Sequence, residues 1–519
     1  MKDLNVYTIF SEDSENPKNE LFYHPYTKYA AEQREKQVSD PYCPRYHFSA
    51  PEGRMNDPNG LCFWKGKWHL FYQAYPPEGT ISWGHAVSED LLHWKDLPYA
   101  INPDIEQACW SGATLVEENR VIAIYLGNEY GIIVAVSSDP LLLNWNKIGH
   151  IPNDVDKYYP VYDPCIWKQD DWYYALSGGK IDVPGSERGV RAGYLFRSRD
   201  LVAWEYVHPF IEGGFDCLPG DDGACPYFWP IGDKYLYLHF SHQSGSKYLL
   251  GHYDTENQKF IGIRGGSFNT HGIGSSYAGG THAPSATPDG KGGVVAVFNI
   301  ADALVTDSRH HYQIVGLPRR FTLIGAKMDE LAIEPAVEVS SMREKSIAMH
   351  DVALPAGQEV LLNGVQGNVM ELYLELAPAD TLPTIDISVL RSQHGEEATH
   401  IRCYRQRGCT NWDNFEACGG WEGTSYDTVI ELDNTDSSLL PGTICRAPEL
   451  GSFFLMPTDP LRLRIFIDKS VVEVFVNDRL CLSTRVYPSR SDSLGVSLCA
   501  KEKDTVLLHA QAWQYKFTH

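Results

Sequence analysis

The sequence lacks the segments that direct a protein into a membrane or through secretion. No stretch of its 519 residues approaches the ~20 consecutive apolar residues of a membrane-spanning helix. Residues 1–20, MKDLNVYTIFSEDSENPKNE, contain no apolar core of the length that a secretory signal requires. We therefore expect a soluble cytoplasmic protein that does not bind a membrane.

Basic residues and paired cysteines are also scarce. The chain has 44 Lys and Arg against 67 Asp and Glu, and its formal net charge is −23. Such a charge repels phosphate backbones, so nucleic acid is excluded as an expected partner. The 12 Cys are widely spread, with no Cys-x-x-Cys pair and no Cys/His cluster at ligand spacing. We predict neither a metal site nor a cofactor, and no disulfide scaffold.

Helical periodicity is limited to the N-terminal 40 residues or so, where YTKYAAEQREKQ predicts one polar helix. Elsewhere apolar and polar residues alternate with period two in segments rich in aromatic and β-branched side chains, such as GKWHLFYQAY, DKYLYLHFSH and RLRIFIDKSVVEVFVN. Gly, Asp, Asn or Pro bounds each of these segments. The sequence therefore predicts an all-β protein with an N-terminal extension over residues 1–43.

A loosely repeated unit occupies the first two thirds of the chain. Each copy opens with an acid-Pro or Cys-Pro pair and continues into a hairpin, in NDPNGLCFWKGKWHLFYQ, YDPCIWKQDDWYYALSGG and GACPYFWPIGDKYLYLHFSH. Repeated four-stranded units of about 40 to 60 residues are typical of β-propellers, whose first strands converge on a central pocket. We predict a propeller over residues 44–340 and a β-sandwich over residues 341–519.

The unit openings carry acids that turn geometry alone does not require. RMNDPNG, residues 54–60, already has the Asn, Gly and Pro that a turn needs, so Asp57 indicates a function. Converging inner strands would bring Asp57, Asp163 of VYDPCIW and the acids of GDDGACPYFWP to one funnel. Several carboxylates between Trp and Tyr walls suit the cleavage of a glycosidic bond. The alternative, that these pairs only mark hairpin turns, does not explain an acid in each.

These motifs resemble glycoside hydrolase family 32, the β-fructofuranosidases that include invertases, inulinases and levanases. RMNDPNGLCFWKGKWHLFYQ resembles the opening motif of the family, and WGHAVSEDLLHWKDLP its next segment. CWSGATL resembles its Trp-Ser-Gly motif, LPRRFTL the exit from its propeller, and LRIFIDKSVVEVFVNDR the signature of its C-terminal sandwich. The resemblance spans residues 45 to 515.

The resemblance implies a five-bladed propeller joined to a β-sandwich, and a retaining mechanism. Asp57 matches the family nucleophile, and Asp163 matches the acid that stabilises the oxocarbenium-like transition state. Further positions fall where the family lines its fructosyl pocket: Asn56, Gln73, Trp83, Trp110 and Ser111. For the two tryptophans, packing in the core of the inner strands remains an alternative.

Two departures from the family pattern lie at the chemistry. Tyr162 stands where the family has Arg before the Asp-Pro pair, and Ala224 stands where it has the Glu of its Glu-Cys motif, the general acid/base. Alanine cannot transfer a proton. Three explanations remain open: an engineered variant that traps substrate, a relative that has lost hydrolysis, or an acid that has moved. Because both departures would lie close together, a remodelled site with Tyr162 in its wall is the more natural interpretation.

Asp222 is the first candidate for a relocated acid/base, with Asp221 as the second and as a substrate-binding residue. Residue 222 points the way residue 224 does if strand alternation continues through GDDGA, although Gly and Pro there favour a turn. A solvated acidic turn or a cation-binding loop is the alternative. His239, His242 and His282 are further polar candidates for the subsite of the leaving sugar, and each also fits a structural role.

The sequence thus predicts a β-fructofuranosidase-like glycosidase that acts on sucrose or a short fructo-oligosaccharide. A fructosyltransferase would use the same covalent intermediate with a sugar hydroxyl as acceptor. A non-catalytic fructoside-binding protein would have lost the acid, although it would have no use for a nucleophile. The sandwich forms dimers in some family members, so a homodimer remains open.

Overall fold

The computed structural model describes residues 24–77, 79–154, 156, 160–185, 187–213, 217–268, 280–303, 313–378, 384–408, 425–456 and 458–516. Over these ranges the chain forms five sheets of four or five strands, with a two-stranded hairpin inserted in the third, then two sheets of six strands. The all-β fold, with a five-bladed propeller followed by a β-sandwich, is confirmed.

The described part of the predicted N-terminal extension contains an α-helix, α1 (Pro25–Val38). Pro25 suits its first turn, and the His24 side chain caps it by accepting a hydrogen bond from the backbone N–H of Tyr26. Arg34 forms a bidentate pair with Asp96 of the first blade, which fixes the helix on the propeller. In the described part of the chain, no helix is both long and apolar enough to cross a bilayer.

The four main strands of each blade are antiparallel, and the first of these four lies nearest the centre. Blade 1 contains β1 (Met55–Trp64), β2 (Lys67–Ala74), β3 (Ser82–Ser88) and β4 (Trp94–Ile101). Blade 2 contains β5 (Gly112–Val116), β6 (Val121–Leu126), β7 (Ile132–Ser137) and β8 (Asn146–Ile151). Blade 3 contains β9 (Tyr162–Gln169) and β10 (Trp172–Gly178), the inserted hairpin β11 (Lys180–Ile181) and β12 (Val190–Arg191), then β13 (Tyr194–Ser198) and β14 (Glu205–Pro209).

The last two blades complete a closed ring. Blade 4 contains the edge strand β15 (Ile211–Glu212), then β16 (Ala224–Ile231), β17 (Lys234–Ser241), β18 (Gly245–Asp254) and β19 (Lys259–Ser267). Blade 5 contains β20 (Thr281–Pro288), β21 (Val294–Ala301), β22 (Gln313–Val315), β23 (Arg319–Ile324) and β24 (Glu330–Pro335). The inner strands contact one another in the order β1, β5, β9, β16, β20 and back to β1. The start of each inner strand therefore faces one central space.

The sandwich consists of two six-stranded sheets. Its strands are β25 (Arg343–Leu354), β26 (Glu359–Gln366), β27 (Val369–Leu376), β28 (Ile385–Arg391), β29 (Thr399–Gly408), β30 (Ser425–Asp433), β31 (Glu449–Leu455), β32 (Leu461–Asp468), β33 (Val471–Val476), β34 (Leu480–Arg485), β35 (Gly495–Ala500) and β36 (Thr505–Tyr515). One sheet has the order β25-β36-β27-β32-β33-β34 and the other β26-β35-β28-β29-β30-β31. In β32, Leu461, Leu463 and Ile465 are buried while Arg462 and Arg464 point away from the core, as period-two patterning predicts.

A buried charged cluster joins the sandwich to the propeller. Glu473 of β33 accepts hydrogen bonds from His47 Nε2 at 3.0 Å, Leu317 N at 2.7 Å and Ser483 Oγ at 2.6 Å. It also pairs with Arg319 of blade 5. Glu473 of the sandwich therefore contacts His47, Leu317 and Arg319, which belong to the propeller.

Candidate active site

Four of the five inner strands start with a register shift that contains a proline. The shifts lie at Met55/Pro58, at the Tyr162 end of β9, at Ala224/Tyr227 and at Thr281/Pro284. Proline has no N–H for the ladder, so it is tolerated where pairing is broken, and a bulge turns the preceding side chain away from its regular direction. The residues that precede these prolines include Asp57, Asp163 and Cys225.

Asp57 is held by hydrogen bonds from its own blade and from the segment that precedes blade 2. Its Oδ2 accepts from Ser111 Oγ at 2.6 Å and from Gln73 Nε2 at 3.1 Å. Gln73 is fixed in turn, because its Oε1 accepts from Asn56 Nδ2 at 3.1 Å. Burial raises the pKa of Asp57, and the bond from Ser111 opposes this rise. The carboxyl group therefore has a fixed orientation and one oxygen saturated by donors.

Asp163 lies beside Asp57, and Cys225 bridges the two. Cys225 Sγ is 3.5 Å from Asp163 Oδ2 and 3.7 Å from Asp57 Oδ2, and its backbone N–H also donates to Asp163. Burial, and then the charge of Asp57, raise the pKa of Asp163 to about 6. Asp163 has φ of 20° and Cys225 has φ of 48°, conformations that non-glycine residues seldom adopt and that cluster at functional sites.

These carboxyl groups open onto a cavity of about 510 Å³. Its lining residues are Asn56, Asp57, Gln73, Trp110, Leu126, Pro160, Tyr162, Asp163, Lys180, Asp222 and His242. The structure thus brings most of the predicted site residues to one pocket. Sequence reasoning missed Lys180, which comes from the hairpin inserted into blade 3, a segment whose strands of two residues give no periodic signal.

Asp222 and His242 form an ion pair at the rim of the cavity. His242 Nδ1 is 2.7 Å from Asp222 Oδ2, and the backbone N–H of His242 donates to Asp222 Oδ1 at 3.3 Å. The hydrogen bond to Asp222 raises the pKa of His242 to about 9, against the opposing effect of burial. Asp222 thus lies in the cavity wall, where the relocated acid was predicted.

The register of blade 4 explains how this pair meets. The hairpin of β16 and β17 places Ile231 opposite Lys234 and, after the shift, Ala224 opposite Phe240. Counting two residues back from Ala224 and two residues on from Phe240 brings Asp222 opposite His242. The hairpin turn at Gly232 and Asp233 was visible in the sequence, so an extrapolated register could have found this pair to within one residue.

Tyr162 and Ala224, the two predicted departures from the family motifs, contact the same loop. Ala224 is fully buried in an apolar cluster with Phe240, Ala283 and the partly buried Tyr162. The Tyr162 hydroxyl donates to the backbone oxygen of Asp222 at 2.9 Å. Tyr162 therefore fixes the position of Asp222, and Ala224 offers no polar atom to the cavity.

Two predicted substrate-binding residues face elsewhere. Asp221 is fully buried, pairs with Lys247 at 2.9 Å, and accepts from Ser241 and Ser244 at 2.6 Å each. Both carboxylate oxygens of Asp221 are therefore bound within blade 4. This corrects the prediction that Asp221 binds substrate in the pocket. Trp83 is fully buried as well, and its Nε1 donates to the backbone oxygen of Trp110 at 2.7 Å. It supports Trp110 from behind, which corrects its predicted place in the cavity wall.

Ser111 and the remaining histidine candidates also take supporting positions. Ser111 is buried behind the cavity wall, where it hydrogen-bonds Asp57 and Gln73. His239 is buried with its Nε2 2.7 Å from Arg191 Nη1, and His282 stacks on Phe240.

Burial lowers the pKa of His239, and it lowers the pKa of His282 to about 3, so both imidazoles are neutral. Only His242, of the three candidates, lines the cavity. Among the described residues, no three His, Cys, Asp or Glu side chains are grouped as ligands of a metal ion would be.

Comparisons with known proteins cover nearly the whole chain. The model of the glycosyl hydrolases family 32 N-terminal domain matches residues 47–335, and that of the family 32 C-terminal domain matches residues 338–514. An insoluble β-fructofuranosidase isoenzyme 1 from Oryza sativa subsp. indica is 27% identical over 91% of this chain and 90% of its own length.

Two solved structures share the fold. Fructan 1-exohydrolase IIa from Cichorium intybus in complex with 1-kestose has a TM-score of 0.77 at 21% identity, over 92% of this chain and 98% of its own. A Bombyx mori β-fructofuranosidase mutant in complex with sucrose has a TM-score of 0.67 at 23% identity, over 97% of this chain and 99% of its own. With both family domains matched in order, the chain belongs to glycoside hydrolase family 32.

Proposed function

We propose that this protein is a retaining β-fructofuranosidase that releases fructose from short β-fructofuranosides such as sucrose or small fructo-oligosaccharides. The observation that carries the proposal is the convergence of Asp57, Asp163 and Asp222 on one cavity. Its volume of about 510 Å³ is in the range of small-ligand pockets. Family relatives have been solved with sucrose and with 1-kestose, which supports this substrate class.

Asp57 is assigned as the nucleophile. In the first step it attacks C2 of the fructosyl unit, so that a C2–Asp57 ester bond forms while the glycosidic C2–O bond breaks. In the second step water attacks C2, the ester bond breaks, and Asp57 leaves as a carboxylate. Ser111 and Gln73 both donate to Oδ2. Oδ1 is therefore the oxygen that we assign to the attack.

Asp163 is assigned to the stabilisation of the oxocarbenium-like transition state. Its carboxylate would accept hydrogen bonds from sugar hydroxyls and place negative charge beside the developing positive charge. With a pKa of about 6, Asp163 is ionised above that pH and loses the charge below it. The reaction should therefore lose rate as the pH falls through about 6.

Proton transfer in both steps is assigned to the pair of Asp222 and His242. The leaving oxygen must take up a proton in the first step, and the attacking water must lose one in the second. Ala224 has no group that can do this, whereas the pair lines the same cavity as Asp57. One pair can serve both steps, because a donor that has lost its proton in the first step accepts one in the second.

Release of free fructose from sucrose and from 1-kestose tests the proposal. The wild-type chain should show turnover. Asp57→Asn, which keeps the shape and removes the charge, should lower kcat/KM by ~10³-fold or more, equivalent to about 4 kcal/mol of transition-state stabilisation. Asp170→Asn is the matched control, because Asp170 is exposed in an outer hairpin turn and has φ of 52°, a conformation that Asn also tolerates. It should leave the rate unchanged.

Chromatography of the products separates the alternatives. Longer oligosaccharides without free fructose would identify a fructosyltransferase. Sugar binding without any product would identify a non-catalytic fructoside-binding protein. Full activity of Asp57→Asn would refute the assigned nucleophile.

A further inference from the structure

His242 and Asp222 hold different positions in the wall of the cavity. The His242 side chain is 64% exposed, whereas the side chain of Asp222 is 15% exposed. His242 follows β17 and shares the cavity with Asp57 and Asp163. Both side chains line the cavity, and the imidazole is the one with more surface open to an incoming sugar.

The hydrogen bonds of the pair also indicate which member carries the proton. Both oxygens of Asp222 receive donors from His242, Oδ2 from the ring at 2.7 Å and Oδ1 from the backbone N–H at 3.3 Å. A carboxylate oxygen only accepts hydrogen bonds, so the ring Nδ1–H of His242 is the donor in this pair. With Nδ1–H directed to Asp222, Nε2 becomes the ring atom that can give or take a proton, as in other Asp-supported histidines.

We propose that His242 is the general acid and base of the reaction and that Asp222 is its positioning residue. This inference rests on the proposed function and refines it, since the sequence alone favoured Asp222 itself. In the first step the proton on His242 Nε2 passes to the leaving glycosidic oxygen as the C2–O bond breaks. In the second step Nε2 takes a proton from the water that attacks C2, and the imidazolium is restored.

The surrounding charges keep this imidazole protonated near neutral pH. Asp222, Asp163 and Asp57 all act on His242 from three different blades, and together they raise its pKa to about 9. Two other groups lie nearby. Lys180 lines the same cavity, and His282 is neutral. The single positive charge of Lys180 does not offset the negative charge of three carboxylates. The proton is therefore in place below about pH 9 and is lost as the pH rises through it.

The pH dependence of kcat/KM for sucrose between pH 5 and 10 is the first arm of the test. We expect an alkaline limb near pH 9, from His242 in the free enzyme. Asp222→Asn keeps an oxygen that can accept from Nδ1 but removes the charge. It should move the alkaline limb toward the ordinary histidine value of about 6.5. A limb that stays in place in this variant contradicts the assigned role of Asp222.

Substrates with different leaving groups form the second arm. His242→Asn retains an amide N–H near the Nδ1 position and removes Nε2. It should lower kcat/KM for sucrose by ~10²–10⁴-fold. The first step on p-nitrophenyl β-fructofuranoside should lose far less, because nitrophenolate leaves without protonation. Azide, an anion that needs no general base, should restore the second step and yield fructosyl azide.

Controls separate a catalytic role from a structural one. His252→Asn changes an exposed histidine of β18 in the same blade and should behave as wild type in every assay. Thermal unfolding and fructose binding of each variant show whether the fold and the pocket are retained. If His242→Asn misfolds, the pH profiles of the wild type and of Asp222→Asn still test the inference.

Two results would overturn the inference while fructosidase activity remains. One is a His242→Asn variant with wild-type rate and profile. The other is an Asp222→Asn variant that loses more sucrose activity than His242→Asn, which would make Asp222 the acid. A wild-type chain without turnover on either substrate would instead refute the proposed function, and this inference with it.

Discussion

Replacing Glu473 by Gln tests whether the buried cluster between sandwich and propeller holds the two domains together. Gln keeps the size of the side chain and one acceptor oxygen. It removes the negative charge that faces His47 and Arg319, both of which are fully buried there. The positive charges of His47 and Arg319 would then be buried without the carboxylate that pairs with them. Removing one partner of a buried ion pair is strongly destabilising, so we expect the folded state to lose stability.

The structure gives the size and the pH dependence of this effect. Burial alone would raise the pKa of Glu473, but the hydrogen bond and charge of His47, with Arg319 and Ser483, bring it from 4.5 to about 2. A difference of this size corresponds to about 3 kcal/mol, and breaking buried pairs typically costs about 3–5 kcal/mol. Because the folded pKa is lowered, this stability is present above about pH 4.5 and is lost as the pH falls toward 2.

Thermal unfolding of wild type and Glu473→Gln at several pH values is the assay. A loss of about 3–5 kcal/mol lowers the Tm by roughly 3–5 °C if all 519 residues unfold together. Glu330→Gln is the control, because Glu330 pairs with Arg479 across the same interface at 2.5 Å but is 38% exposed. Exposed pairs contribute about 0–1 kcal/mol, so its Tm should hardly change. Equal losses in both variants, or a Glu473 effect independent of pH, would refute the reasoning.

Two further predictions concern the cavity. Ser111→Ala removes the 2.6 Å bond that opposes the raised pKa of Asp57, so the acidic limb of kcat/KM should move to higher pH with a ~10–100-fold loss on that side; an unmoved limb in the pH profile would contradict this. Ala224→Glu places a carboxyl group against Phe240 in a buried apolar cluster, so we expect a lower Tm and no gain in fructose release. A gain by orders of magnitude would instead identify the chain as a form that has lost its acid.

Alternating strands were the part of the fold most readable from sequence. The segments NDPNGLCFWKGKWHLFYQ and RLRIFIDKSVVEVFVN both predict strands, and the structure has β1 with β2 and β32 with β33 there. Blade 2 was harder to recognise, because the residues of β6, Val121–Leu126, are buried on both faces and form one apolar run. Such a run has no period by which a strand can be told from a buried helix.

The candidate site was readable only in part, because contacts between blades depend on closure of the ring. Asp57 and Asp163 stood out through their Asp-Pro pairs, which mark the register shifts of two inner strands. That the side chains of Asp221 and Asp222 point in opposite directions could be predicted only if the position of the turn before β16 were known. The partner of Asp222 required the register of a hairpin with a one-residue shift, which local patterns do not contain.

The residues around Asp222 favour a site remodelled as a unit over a single exchanged residue. Tyr162 binds the backbone oxygen of Asp222 and also packs with Ala224 and Phe240. A larger, charged residue at 224 would enter this cluster, so the small side chain and the tyrosine fit one arrangement of the loop. That arrangement places Asp222 beside His242. An exchange of one residue to trap substrate would not explain why its neighbours fit the change, so the packing supports the prediction of a remodelled site.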